Sequence, residues 1–521
     1  MDDPSVVSPP RRPSSRQLAP PGSGLRPSAS PPLLDLGRAS ALAALCCTLA
    51  GAPPAGAAPP QLALSPCRLK GGVQAECGTF DVPEDREHPS GRHLKLKVAV
   101  IPALARATKP DPLFLLAGGP GQAATEALPE LAQHAFERVH RSRDLVLVDQ
   151  RGTGSSNPLK CKLTRPGAPL AERLSEVGYP KERLLQCLKG YDADPRYYTT
   201  SIAMQDLDEV RAALGYGQIN LWGGSYGTRA ALVFLREHPQ SVRALVLDGV
   251  APPTMRLPLH FAEDAQRSMD LLFANCAAEP SCAKAWPDLP ARFKRLIDGL
   301  EKAPVRTTVA DPTTGEKVEV TITRDLFTSV LRAVLYQPWQ ASLVPLIVGR
   351  AEAGDFAPLV ALGASWSESL GDSMALGMML SVLCAEDISR FTDADLAAHT
   401  RETFLGASLI QSFKDGCAVW PKGEVAAGFG EPVKSDKPVL LLSGELDPVT
   451  PPFWADEAKK TLPRSAHFTV PGVGHGASAV GCVPRLIEGF LDKGSVEGLD
   501  GACVGKQKRP PFFVTFAGPT P

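Results

Sequence analysis

Leu221-Trp222-Gly223-Gly224-Ser225-Tyr226-Gly227-Thr228 is the stretch that decides how the rest of the chain is read. Just before it, Gln218 to Trp222 reads as a short buried strand. Just after it, Tyr226 to Arg236 carries Ala230, Ala231, Phe234 and Leu235 at helical spacing. A Gly-x-Ser-x-Gly set between a strand and a helix is a sharp elbow that presents the serine. The turn is tight enough to demand a strained backbone at Ser225, and Gly223 and Gly227 leave room for strand and helix to approach. That strain holds the hydroxyl proud of the sheet edge, while the helix N-terminus beneath it favours developing negative charge. Ser225 is therefore the expected nucleophile.

Working outward, Pro112-Leu-Phe-Leu-Leu116 is a continuous apolar run, as a strand buried on both faces requires. It ends in Ala117-Gly118-Gly119-Pro120-Gly121, where residues without side chains let backbone N–H groups face a reacting carbonyl. The N–H groups of Gly119 and Tyr226 are the expected oxyanion hole. Asp144 to Val148 is the next buried strand, and it leads into Asp149-Gln150-Arg151-Gly152-Thr153-Gly154-Ser155-Ser156. The Arg and Asp of that loop are expected to pin it beside the oxyanion turn. The helix Ser201 to Leu214 carries Leu207, Val210 and Leu214 on one face. Val242 to Leu247 follows the elbow as a strand. Towards the N-terminus, Cys77–Val82 and His93–Ile101 alternate as half-buried antiparallel strands around a turn at Pro89-Ser90-Gly91. This rhythm predicts an α/β fold with a mostly parallel sheet and helices on both faces.

The pattern resumes near the C-terminus. Lys437 to Leu442 is a buried strand opening into Ser443-Gly444-Glu445-Leu446-Asp447-Pro448-Val449-Thr450-Pro451. His467 to Val470 leads to Pro471-Gly472-Val473-Gly474-His475-Gly476, and the helix Val483 to Leu491 follows. A serine hydroxyl needs a base to take its proton, and His475 fills that role. Asp447 is the expected acid that fixes the imidazole tautomer. Serine, acid, histidine is the chain order this architecture uses. Asp248 and Glu445 compete for the acid's place. His467 and His238 lack the Gly-rich loop that lets a side chain reach across the sheet edge. No His, Cys and carboxylate set has metal-ligand spacing, so neither a metal nor another cofactor is expected.

From about Pro252 to Glu431 the strand–helix rhythm stops. Leu259–Cys276 is amphipathic, further helices are predicted at 290–302, 324–335, 340–353, 355–370 and 372–384, and 318–323 reads as a small strand. Expected boundaries are therefore a core at 61–251, a helical cap at 252–431, a second core part at 432–505 and a tail at 506–521. Residues 1–60 are rich in Pro, Ser, Arg and Ala around one short apolar run, Ala39–Ala50, which reads as a secretory signal. The chain of 521 residues carries a net charge of −1 with no basic block, which argues against a nucleic-acid partner. Ten cysteines remain after the signal. Their even number suggests disulfides and export to a periplasmic or extracellular compartment. The simplest pairing joins neighbours: 67–77, 161–187, 276–282, 384–417 and 482–503.

Gly118-Gly119-Pro120-Gly121, Asp149-Gln150-Arg151-Gly152-x-Gly154-x-Ser156 and Gly223-Gly224-Ser225-Tyr226-Gly227 together resemble the prolyl and tripeptidyl aminopeptidase family of α/β-hydrolases. The likeness runs from about residue 65 to 505, loosely in the middle third. The prolyl enzymes usually have His before Gly-Gly-Pro-Gly. Ala117 stands there in this chain, which leans the likeness towards the tripeptidyl branch and its exported bacterial members. The resemblance implies an α/β-hydrolase fold with a helical cap inserted after the sixth strand. It also implies a serine aminopeptidase that releases N-terminal residues from short peptides through an acyl-enzyme. An aminopeptidase must hold a protonated amine, and the resemblance suggests that cap acids serve this purpose. Glu386, in Cys384-Ala385-Glu386-Asp387, is the expected amine ligand. An esterase or lipase using the same triad is the alternative reading.

Overall fold

Strands that are apolar on both sides must lie inside a sheet covered by helices, and the runs around the elbow do so. The computed structural model describes residues 62–164, 167–175 and 178–519, so the expected signal segment lies outside the described residues. The strands come in chain order as β1 (Ser65–Arg68), β2 (Gln74–Pro83), β3 (His93–Ile101), β4 (Leu113–Leu116), β5 (Leu145–Val148), β6 (Ile219–Gly224), β7 (Val242–Asp248), β8 (Val305–Ala310), β9 (Lys317–Ile322), β10 (Val439–Gly444) and β11 (Ser465–Val470). Nine of them form one sheet in the order β1-β2-β3-β5-β4-β6-β7-β10-β11, and β8 and β9 form a separate hairpin. The β1, β2, β3 and β5 pairings are antiparallel. From β5 through β4, β6, β7 and β10 to β11 every pairing is parallel.

Alternation along β4 and β5 sorts the core. Phe114, Leu116, Val146 and Val148 face the helices Thr200–Ala213 and Tyr226–Glu237, through Leu207, Val210 and Val233 among others. Leu113, Leu115, Leu145 and Leu147 face the other way, onto Phe136, Ile487 and Phe490. Between β7 and β10 stand the predicted helices, observed at Phe261–Ala278, Leu289–Lys302, Arg324–Val334, Val344–Glu352, Ala357–Ser373 and Leu376–Glu386. They build a core of their own around Phe293, Phe327, Leu331, Ile347 and Phe404. The edge strand β1 went unpredicted because Ser65-Pro66-Cys67-Arg68 has no alternation. It counts one strand more before the helical segment, which follows β7.

All five neighbour pairings of cysteine are present: Cys67–Cys77, Cys161–Cys187, Cys276–Cys282, Cys384–Cys417 and Cys482–Cys503. Such bridges persist in oxidising compartments. No helix among the described residues is long and apolar enough to cross a membrane. The tail is tied down as well. Phe512 is fully buried, the Phe513 N–H donates to Ser342 O, and Trp286 Nε1 donates to Phe513 O.

The loop after β5 is held as expected. Asp149 accepts from the Thr125 N–H and hydroxyl at the start of a short helix. Arg151 is fully buried, forks onto both oxygens of Asp206, and donates to the carbonyls of Pro83, Glu84 and Tyr197. Replacing Arg151 by Leu takes a donor from five acceptor atoms, the two Asp206 oxygens and the three carbonyls. Urea unfolding of Arg151→Leu is expected to show a loss of about 3–5 kcal/mol. A loss near that of an exposed ion pair, about 1 kcal/mol or less, would contradict this account.

Candidate active site

The elbow is built by backbone sterics. Ser225 has φ 56° and ψ −125°, outside the ordinary regions for an L-residue, between β6 and the helix Tyr226–Glu237. Its N–H donates to Asp248 O at 2.9 Å, which ties the turn to the end of β7. A Cβ on Gly223 would lie 2.3 Å from Gly227 O, and one on Gly227 would lie 2.2 Å from Leu116 O. Both glycines are thus required by the close crossing of strand and helix, as the motif predicts. The loop after β4 sits directly on the serine, since a Cβ on Gly118 would lie 3.1 Å from Ser225 Cβ. Gly119, with φ 108°, carries no hydrogen bond on its N–H among the described residues. Tyr226 opens its helix, so its N–H has no partner within that helix.

His475 and Asp447 meet directly, with Nδ1 and Oδ2 2.8 Å apart. Asp447 is fully buried and also accepts from the N–H groups of Val449 and Thr450 and from the Thr450 hydroxyl. Burial alone would raise its carboxyl. The charge and hydrogen bond of His475, helped by those N–H donors, outweigh it and hold Asp447 below its usual range. Burial likewise works against the imidazolium, and the Asp447 charge and hydrogen bond overcome it, so His475 is held above its ordinary 6.5. The ring lies over Gly249, where a Cβ would come 3.2 Å from Cε1. Asp248 and Gly249 therefore touch both the Ser225 N–H and the His475 ring, and this bend at the end of β7 gathers the two at one sheet edge.

The rival groups have other tasks. Asp248 accepts from the N–H groups of Ala477 and Ser478 and from the Ser478 hydroxyl, so it anchors the loop that carries His475. Burial pushes its carboxyl up despite those donors. Glu445 accepts from the Gly472 N–H at the start of the same loop. His467 lies between Asp456 and Ser443, and His238 faces Asp208. Among the described residues, folding does bring one His and Glu trio together that sequence spacing did not reveal. The Nδ1 atoms of His260 and His399 sit 2.6 and 2.8 Å from the two oxygens of Glu263, which satisfies both imidazoles on that side.

Glu386, the expected amine ligand, is bonded to Thr200. Its side chain is wholly shielded from solvent, with Oε1 accepting from the Thr200 N–H at 2.6 Å and Oε2 from the Thr200 hydroxyl at 2.8 Å. It caps the helix Thr200–Ala213, and the Thr200 hydroxyl passes the contact to the Tyr226 hydroxyl at 2.7 Å. Burial outweighs the nearby Arg229 charge and the Thr200 bonds, and the Glu386 carboxyl is pushed up to about 7. Arg229 of the elbow helix pairs instead with Asp387 at 2.7 Å, and Asp387 also receives the Leu257 N–H and Arg390. These two acids lock the helical segment onto the elbow. Sequence reasoning singled them out but did not find these partners, because Thr200 and Arg229 are remote in the chain.

Sheet order and elbow are those of the α/β-hydrolase fold, and residues 111–292 match the family described as the alpha/beta hydrolase fold. The chain is an enzyme of that class. Within it, residues 402–503 match the TAP-like protein family, and the kinship with prolyl and tripeptidyl aminopeptidases holds. The serine protease Hip1 of Mycobacterium tuberculosis is 26% identical over 482 residues, covering 84% of this chain and 90% of that protein. A tripeptidyl aminopeptidase of Streptomyces lividans is 28% identical over 193 residues, 34% of this chain and 36% of its own length. A probable proline iminopeptidase of Streptomyces coelicolor is 31% identical over 199 residues, 37% and 49% of the two chains.

The elbow makes a sharp prediction. In Gly227→Ala the added methyl meets the Leu116 carbonyl, and strand backbone cannot step aside. The variant is expected to lose about 1–3 kcal/mol or more of stability and its reaction with a fluorophosphonate at Ser225. Wild-type labelling in a variant of unchanged melting temperature would contradict the packing argument.

Proposed function

We propose that this chain is an exported serine aminopeptidase that releases residues from the free N-terminus of short peptides, acting in the periplasm or outside the cell. The observation that carries the reading is the buried Asp447–His475 pair, gathered with Ser225 on the Asp248–Gly249 bend. The peptidase names of its relatives, one of which matches along 84% of the chain, support its direction. Ser225 Oγ attacks the scissile carbonyl while His475 takes its proton through Nε2, the nitrogen not bonded to Asp447. Asp447 holds the tautomer and stabilises the imidazolium. The N–H groups of Gly119 and Tyr226 receive the oxyanion. His475 then protonates the leaving amine, and water repeats the sequence on the acyl-enzyme. Amine recognition in this scheme does not draw on Glu386, whose oxygens are taken by Thr200.

A matched pair of short peptides, one with a free amine and one N-acetylated, tests the reading. Turnover is expected for the first and a loss of about tenfold or more in kcat/KM for the second, since the ammonium's charge-assisted bonds are gone. Equal turnover would point to an acyl hydrolase of the esterase type.

The pH profile offers a second check. The base must be neutral to work, and it titrates above 6.5, so kcat/KM is expected to fall with acid on a limb lying above that value. Asp447→Asn removes the group that raises His475. It should shift the limb downward and lower kcat on the order of 10³-fold or more. A limb that stays in place in that variant would remove Asp447 from the scheme.

A further inference from the structure

Among the described residues the buried arginines are paired. Arg143 meets Asp111, Arg151 meets Asp206 and Arg229 meets Asp387. Arg332, half-buried on the helix Arg324–Val334, is different. Among the described residues no carboxylate lies within ion-pair distance of it. Its guanidinium lies 4.6 Å over the Phe261 ring and 5.5 Å over the Tyr336 ring. Of its five N–H donors, one Nη2 donor reaches the Tyr336 hydroxyl at 3.3 Å, and Nε is buried with no partner. A half-buried cation held by two aromatic faces and one hydroxyl, with its Nε shut from water and unbonded, has donors left for an anion to complete.

The position of this cation relates it to the candidate active site. Tyr336 lies edge-on to His475 with ring centroids 5.2 Å apart, and the His475 N–H donates to Tyr336 O at 2.9 Å. Arg332 is thus one residue removed from the proposed base, and its charge opposes protonation of His475. A carboxylate bound there would neutralise that charge and favour the imidazolium that forms as Ser225 attacks.

We propose that Arg332 is the carboxylate-recognition residue of this site, pairing with an anionic group that the peptide substrate carries. The group is the substrate's C-terminal carboxylate or the side chain of an Asp or Glu near the scissile bond; the chemistry of recognition is the same. The guanidinium fork suits either, since it offers two parallel donors to one carboxylate. The proposal rests on the peptidase reading for its substrate class, and it makes short, anionic peptides the preferred ones.

The test compares matched short peptides in two arms, free C-terminal acid against C-terminal amide, and Glu against Gln beside the scissile bond. Dissociation constants are read by calorimetry on Ser225→Ala, which needs no turnover, and kcat/KM is read on the wild type. One arm is expected to favour the carboxylate by about tenfold or more, and that arm identifies the source. Arg332→Gln should reduce the preference to about twofold or less. The acid limb of kcat should lie higher for the carboxylate substrate than for its neutral partner, and this offset should vanish in Arg332→Gln, a change that a packing role alone would not produce. If Arg332→Gln fails to fold, Arg332→Lys, which keeps the charge and loses the fork, should show an intermediate preference. Equal binding in both arms, or a preference that survives Arg332→Gln, would overturn the proposal. A chain that ignores peptides but hydrolyses a nitrophenyl hemisuccinate faster than the neutral butyrate ester would sink the peptidase reading and leave Arg332 in its role.

Discussion

Everything in this molecule answers to one close approach. The helix that follows Ser225 crosses the end of β4 so tightly that a methyl group on Gly227 would overlap the Leu116 carbonyl. That crossing forces the serine into φ 56°, a strained conformation that persists only when its surroundings over-determine it. They do so here. β4 and β7 flank β6 in parallel register, the Asp248 carbonyl holds the Ser225 N–H, and the Thr228 hydroxyl donates to Ser225 O at 2.6 Å. Thr228 in turn accepts from the Ala251 N–H, so the turn is stitched to the segment leaving β7.

The helical segment after β7 is fastened to the same place. Asp387 and Glu386 end the helix Leu376–Glu386, and they grip Arg229 on the elbow helix and Thr200 on the helix preceding β6. At the other end of that helix the Ala375 N–H donates to Gly121 O, and Gln122 and Met374 form an isolated antiparallel bridge. A single helix therefore touches the Gly-rich loop with one end and the elbow with the other. A buried ion pair seldom adds net stability over well-packed apolar groups. Its value here lies in register: Arg229 has one low-energy arrangement, and a slip of the helical segment would strand its charge.

How much of this the sequence disclosed follows from the range of each interaction. Elbow, Gly-rich loop and the strands around them are legible because glycine spacing and continuous apolar runs are local signals. The disulfide partners are legible because every bridge joins cysteines that are consecutive in the chain. His475 is legible from its Gly-rich loop: a Cβ on Gly474 would strike the Tyr336 carbonyl, so only glycine admits this path. The edge strand β1 was not legible, since four residues without alternation become a strand only by pairing with β2. Nor were the tasks of Glu386, Asp248 and Arg332, because an isolated charged residue announces that it needs a partner but not which one.

The carboxylates show why partner identity matters more than residue type. Asp248, Asp447 and Glu386 are all shut away from water, and burial alone would push each towards its neutral form. Asp447 escapes because an imidazole and three further donors converge on it, leaving it ionised and able to steady a positive ring. Asp248 has donors but no cation in direct contact, and it rises. Glu386 shares one threonine between its two oxygens and lies 4.0 Å from an arginine that Asp387 already holds. It cannot match Asp447 as a stable negative charge. Among the acids Asp248, Asp447 and Glu386, the one that faces His475 is held in its charged form, and the others spend their hydrogen-bonding capacity keeping the backbone around it in place.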